Sequence, residues 1–404
     1  MFSSNDKISS RQIKRLLVFD LFGAASLLLP SQLAKSGDGI GVWSILAGMA
    51  FAGIYLWMLH TCCCRMPSDY MEYLKTGWGG FLARLLYLCY ACLSIVTCAW
   101  AAKLLAELMC GTLLDNREFP WALLVVLLLA LYGAAAGMEA RARVYELLFW
   151  VLVIPLVILL LLCVRQVQVM QWFPLLGDGD AISWSFFWSG TWQCFAAFLP
   201  LTFVLFLIPH VQEPKKTCRA AAGATLLDGI ALVVLYLILL GIFGSGALAK
   251  EEYPVITLMG MVKIPGDFIK RLDAVMVGGW FFTLYALIGT TLYYGVVIMR
   301  RALTGWEAYK KAGGIGKQVW FLALAVAAYG IAYWFYLSPQ AEVRAMRMFY
   351  LAGVPFAVLV PAVSLFLCKG EAERRQRAQA VAEMVKAGLE DEQGVFSAGK
   401  QQVK

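Results

Sequence analysis

Asp20 sits inside LLVFDLFGAASLLLP, residues 16–30, and is the only charged residue in that apolar run. An ionisable group at membrane depth is expensive and usually functional. It holds a proton, binds a ligand amine or pairs with another polar group. The competing reading is a position close enough to an interface to stay hydrated. Gly23-Ala24-Ala25-Ser26 follows with little side-chain bulk, and Pro30 cannot donate a helical hydrogen bond. Backbone left unsatisfied in hydrocarbon survives only against protein or a water-filled cavity. Two readings of this stretch are open: a discontinuous helix whose freed amides and carbonyls bind a solute, or close packing of helices through small residues.

The same device recurs in SFFWSGTWQCFAAFLPLTFVLFLIPHV, residues 185–211. Here Ala196-Ala197 and Phe198 lie at the midpoint and Pro200 follows. Cys98, Trp100 and Tyr285 fall near mid-membrane, where each either lines a pocket or packs. Lys103 and Glu107 stand four apart, so they neutralise each other on one helix face and form a structural pair. Glu146 and Asp228 lie nearer helix ends, which points to packing or a hydrated interface. Leu28 is expected on a lipid-facing side. No metalloprotease motif, phosphate-cradling glycine loop or nucleophile–histidine pair is present, which argues against an enzyme. With two histidines and eleven scattered cysteines, mostly inside apolar runs, a metal site is not expected and no cofactor is implied.

The elements that must position these residues are membrane helices. The chain is 61% hydrophobic and 15% charged, with a mean hydropathy of +0.72. Soluble domains carry roughly 25% charged residues. The opening MFSSNDKISSRQIKR is polar and basic without the form of a cleaved signal. Ten runs are long enough to span: 12–34, 40–63, 81–110, 119–137, 143–164, 186–210, 221–245, 272–299, 318–336 and 346–368. With the N-terminus inside, 24 lysines and arginines fall on the cytoplasmic side and 9 outside. That bias supports ten spans with both termini cytoplasmic. The basic residues therefore serve topology, and nucleic acid is not an expected partner.

The organisation that follows is a cytoplasmic N-terminus over 1–10, a ten-helix domain over 11–369 and a polar tail over 370–404. The outer segments are 165–185, with a turn at Gly177–Asp180, and 246–271, whose apolar stretch 253–262 is too short to span. If ten helices are two five-helix halves, spans one and six correspond. Interruptions at corresponding positions then point to a transporter-type site.

KISSRQI at 7–13, EEYPVITLMGMVKIPGDFIKRLDAVMVGGWFF at 251–282 and the ten-helix layout together resemble the spore germination permease family, the B-type subunits of endospore germinant receptors. The resemblance covers roughly residues 7–368. It implies membership of the amino acid–polyamine–organocation superfamily: an all-α integral membrane protein with a LeuT-like 5+5 inverted repeat and helices 1 and 6 interrupted. It further implies a small-molecule germinant, an amino acid or similar solute, bound between spans one, three, six and eight. A- and C-type partner subunits in the spore inner membrane are implied as well. The residues matching that pocket are Asp20, Gly23, Ala24, Ala25, Ser26, Cys98, Trp100, Ala196, Ala197, Phe198 and Tyr285. The pattern expects a glycine at the sixth-span break, where this chain has Ala196-Ala197. A proton- or sodium-coupled amino acid transporter is the alternative function.

Overall fold

The computed structural model describes residues 7–36, 40–66, 69–114, 116–172, 184–208, 211, 214–261, 272–311 and 314–368. The Gly177–Asp180 turn, His210 and the polar tail 370–404 lie outside the described residues. The helices in chain order are α1 (Ser10–Ser36), α2 (Ile40–Arg65), α3 (Tyr70–Trp78), α4 (Gly80–Thr112), α5 (Phe119–Ala135), α6 (Met138–Val164), α7 (Trp184–Ala197), α8 (Val204–Leu207), α9 (Pro214–Leu248), α10 (Pro254–Met261), α11 (Leu272–Lys311), α12 (Gly314–Leu337), α13 (Pro339–Met348) and α14 (Val354–Leu367). Nine segments among the described residues are long and apolar enough to cross a membrane, and α5, apolar throughout, is shorter at 17 residues. The chain is a multi-pass membrane protein.

Burial ranks the spans. The apolar window of α1 is 83% buried, against 12% in α6 and 28% in the α13–α14 segment. An apolar helix buried all round belongs to the centre of a bundle, so α1 is the axis and α6 and α13–α14 lie outermost. Small residues let α1 seat closely: a Cβ on Gly23 would come within 2.7 Å of the Thr283 hydroxyl of α11. On the opposite side α2 packs on α7 through Gly48, whose added Cβ would lie 2.5 Å from Cys194 Cβ. Polar groups join α4 to α11, with the Ser94 hydroxyl donating to the Thr291 carbonyl at 2.7 Å.

The two spans expected to be interrupted behave differently. The first is one unbroken α-helix from Ser10 to Ser36, which corrects the expectation of a break there. Two of its small residues are alanine, the best helix former, and Pro30 removes only the bond to the Ser26 carbonyl. Nearby, the Ser26 and Ser31 hydroxyls donate back to the Gly23 and Leu28 carbonyls at 3.0 and 3.2 Å. The sixth span does break. α7 stops at Ala197, Leu199–Phe203 forms a 3-10 turn, and α8 resumes at Val204. Pro200 has no N–H for the Ala196 carbonyl, and the Leu201 N–H turns to the Phe198 carbonyl at 3.1 Å instead of Ala197. The tenth span carries a π turn at Phe349–Gly353 between α13 and α14. Before it, α10 is a short piece of eight residues with Pro254, Val255, Leu258 and Met259 buried, in keeping with a segment too short to span.

At the N-terminal end, Ile8 makes an isolated parallel bridge to Val211, just beyond the sixth span. Ser9 and Gln12 then form a capping box, the Ser9 N–H donating to Gln12 Oε1 at 3.0 Å. Glu146 of α6 holds this end of α1, accepting from Arg11 at 2.5 Å, Gln12 at 3.0 Å and Arg15 at 3.2 Å. The structure thus makes Glu146 a clamp between two helices.

Candidate functional site

A cavity of about 590 Å³ opens between α1, α4, the broken sixth span, α11, α13 and the start of α10. One stripe of α1 faces it at Asp20, Leu21, Ala24, Ala25, Leu28, Leu29 and Gln32. These positions repeat at i, i+4 and i+8, the spacing that keeps residues on one helical face. At 1.5 Å per residue the stripe is about 18 Å long. α4 presents a parallel stripe from Val96 through Trp100 to Lys103 and Glu107. Ala196, Ala197 and Pro200 place the break of the sixth span directly on the wall.

Of the residues singled out in the sequence, Asp20, Ala24, Ala25, Trp100, Ala196 and Ala197 meet at this cavity. Five do not line it. Gly23 packs on Thr283, and Ser26 accepts a 2.9 Å hydrogen bond from Trp280 Nε1. The Cys98 thiol donates to the Ile288 carbonyl at 3.7 Å, joining α4 to α11. Phe198 is buried in the core behind the break, and the Tyr285 hydroxyl donates to the Leu129 carbonyl of α5 at 3.1 Å. Leu28, expected to face lipid, is on the wall, because an axial helix has no lipid side.

Asp20 is 2% exposed and is served by two residues that sequence reasoning did not select. The Thr290 hydroxyl of α11 lies 2.9 and 3.0 Å from its two carboxylate oxygens and donates its one proton there. The same oxygen accepts from Arg141 Nη2, which also donates to the Ala286 carbonyl at 3.4 Å. Arg141 is itself buried, with its guanidinium 5.9 Å from the ring centroids of Tyr145 and Tyr293. Gly137, at a φ of 96° that a side chain rarely adopts, turns the chain from α5 into α6 and sets Arg141 four residues later, one turn into the helix. Counted by spacing alone, Arg141 reads as a loop charge. The adjacent hydroxyls Thr290-Thr291 in an apolar span were the available signal.

Farther along the cavity, Lys103 pairs with Glu107 at 2.6 Å, the expected i,i+4 contact, and with Glu342 of α13 at 2.8 Å. Glu252 and Tyr253, ahead of α10, complete that end. Glu342 could not be foreseen, since it lies 239 positions from Lys103 in a segment read as a boundary.

The arrangement is that of a solute cavity: an apolar and aromatic body, a buried acid at one end and an ionic cluster toward the other. Among solved structures, the chain resembles a sodium-coupled sialic acid symporter in a substrate-bound outward-open state. The TM-score is 0.63 at 12% identity, over 88% of this chain and 78% of that one. It also resembles MhsT in complex with L-phenylalanine, with a TM-score of 0.58 at 11% identity over 80% and 78% of the two chains. These likenesses give the fold, an all-α LeuT-like membrane architecture. In sequence the chain is similar to spore germination protein B2 of Bacillus subtilis (strain 168), 25% identical over 283 residues, covering 69% of this chain and 75% of that protein. A family described as spore germination protein matches residues 7–311. With three quarters of its length accounted for in this way, the chain belongs to the spore germination permease family.

Proposed function

We propose that this chain is the solute-sensing membrane subunit of a spore germination receptor. It binds an amino acid or similar small solute in the cavity and signals to A- and C-type partner subunits in the spore inner membrane, with both termini cytoplasmic. The observation that carries the reading is the break of the sixth span after Ala197, which lies on the wall of a cavity also lined by Asp20 and Ala24. A helix left open at membrane depth is tolerated where it lines a cavity. Arg141 supports sensing over ion coupling. It supplies Asp20, through Thr290, with a positive charge that is covalently part of the chain and cannot be deprotonated.

The test is Ala197→Val. Its two added carbons intrude on the cavity, and overpacking costs about 1–3 kcal/mol. If binding bears that cost, the half-maximal germinant dose rises about 5- to 150-fold. An unchanged dose–response curve would remove the cavity from the function. The likeness to a coupled symporter favours a second reading, a proton- or sodium-coupled transporter. Vesicle uptake separates the two. A sensor binds solute saturably without accumulating it, whereas concentrative uptake by the isolated chain, lost in Ala197→Val, would establish transport.

A further inference from the structure

Resting on that cavity as the solute site, we infer that among small solutes it favours an organic cation over an amino acid: an amine with an apolar body and no carboxylate that the site must pair. Among the described residues the cavity wall carries four carboxylates, Asp20, Glu107, Glu252 and Glu342, against the ammonium of Lys103 on the wall and the guanidinium of Arg141 behind Asp20. Lys103 is already engaged by Glu107 and Glu342, so it has little to offer an incoming anion. A cleft lined by one sign of charge with low-dielectric walls concentrates the opposite sign.

Asp20 contributes separately from that cluster. It bonds Thr290, beside the Thr291 carbonyl that Ser94 of α4 engages, whereas Glu107 is 13 residues, about 20 Å by helical rise, farther along α4. It is 98% buried, and its two oxygens, with about four acceptor sites, share one hydroxyl proton. Arg141 offsets that charge through Thr290 without donating to the carboxylate itself, so an ammonium brings direct donors to those oxygens.

The backbone adds the same sign again. The 14-residue α7 ends at Ala197 on the cavity wall, and a helix C-terminus carries negative partial charge. The Ala196 and Ala197 carbonyls there lose their helical donors to Pro200 and the 3-10 turn. On the opposite wall the unbroken α1 spends its amides within the helix and offers no backbone donors to a solute carboxylate. The body of the cavity carries Trp100, Tyr253, Tyr336 and Tyr350, whose ring faces attract cations as well as apolar groups.

The experiment uses the full chain in lipid nanodiscs and calorimetric titration with two matched sets. One is 2-phenylethylamine, 2-phenylethanol, 3-phenylpropionate and L-phenylalanine; the other is n-pentylamine, n-pentanol, pentanoate and L-norvaline. In each set the amine is expected to bind at least tenfold tighter than the acid and severalfold tighter than the zwitterion. The preference should shrink as salt rises from 0.02 to about 0.5 M. Glu252→Gln, at an exposed position that tolerates the change, is expected to weaken the amine about threefold or more while leaving the alcohol unchanged. Tighter binding of the acid or the zwitterion, or an amine affinity indifferent to Glu252→Gln, would overturn the cation inference and leave the solute-site reading standing. Binding of neither set, or binding unaffected by Ala197→Val, would overturn both.

Discussion

At the residue scale, the arrangement that decides most is Asp20–Thr290–Arg141. A carboxylate and a guanidinium, each nearly fully buried, are joined through one threonine hydroxyl that donates to the first and accepts from the second. Removing one member of a buried charged network leaves the others uncompensated, which is far costlier than never having buried them. Thr290→Val keeps the shape and deletes the oxygen. It should destabilise the protein by about 1–3 kcal/mol or more, the cost of orphaning buried polar groups. In a detergent melt this appears as a midpoint lowered by several degrees, with most of the loss recovered in Thr290→Ser. Equal midpoints for all three proteins would show that the hydroxyl bridges nothing.

At the element scale, two prolines with similar sequence settings have different consequences. Pro30 sits in a helix that stays continuous, whereas Pro200 sits where the sixth span gives way. Pro30→Ala should therefore stabilise the protein by up to about 3 kcal/mol, the interior penalty of proline, and leave solute affinity within about twofold. Pro200→Ala returns a donor to the Ala196 carbonyl and favours closing the break. It should weaken solute binding by tenfold or more in the calorimetric titration. Equal effects from both would mean that neither helix end serves the site. The contrast also marks what the sequence could disclose. Length and apolarity predicted ten spans, nine of which the described residues show as helices long and apolar enough to cross, because those properties are local. Small residues followed by proline identified both candidate breaks but could not tell them apart. The difference lies in partners supplied by distant helices, among them Thr283 and Trp280 against α1. For the same reason Ala24, Ala25, Ala196 and Ala197 were legible as wall residues, whereas Arg141 and Glu342 were not. Their burial depends on how α6 and α13 dock.

At the scale of the whole molecule, the distribution of positive charge predicts an orientation for the bundle, with both termini cytoplasmic. Single cysteines placed at Asn116 and Lys250 in a cysteine-free background should react with an impermeant thiol reagent from outside. Those at Thr76 and Lys215 should react only after permeabilisation. Reversal in the second half alone would change the helix count and undo the correspondence of spans one and six. The unbroken α1 has a mechanical consequence at this scale. Its 27 residues make a strut about 40 Å long, enough to cross the hydrocarbon from face to face. A helix broken at its midpoint lets its halves swing separately, so one face can open while the other stays shut. A strut has no such freedom. If a solute pressed on Ala24 or Leu28, the displacement would reach Arg11 and Arg15, where Glu146 grips them, and the bridge from Ile8 to Val211 ties that same end to the exit of the sixth span. On the proposed reading the first span would act as a lever, delivering occupancy of the cavity as displacement at its N-terminal end.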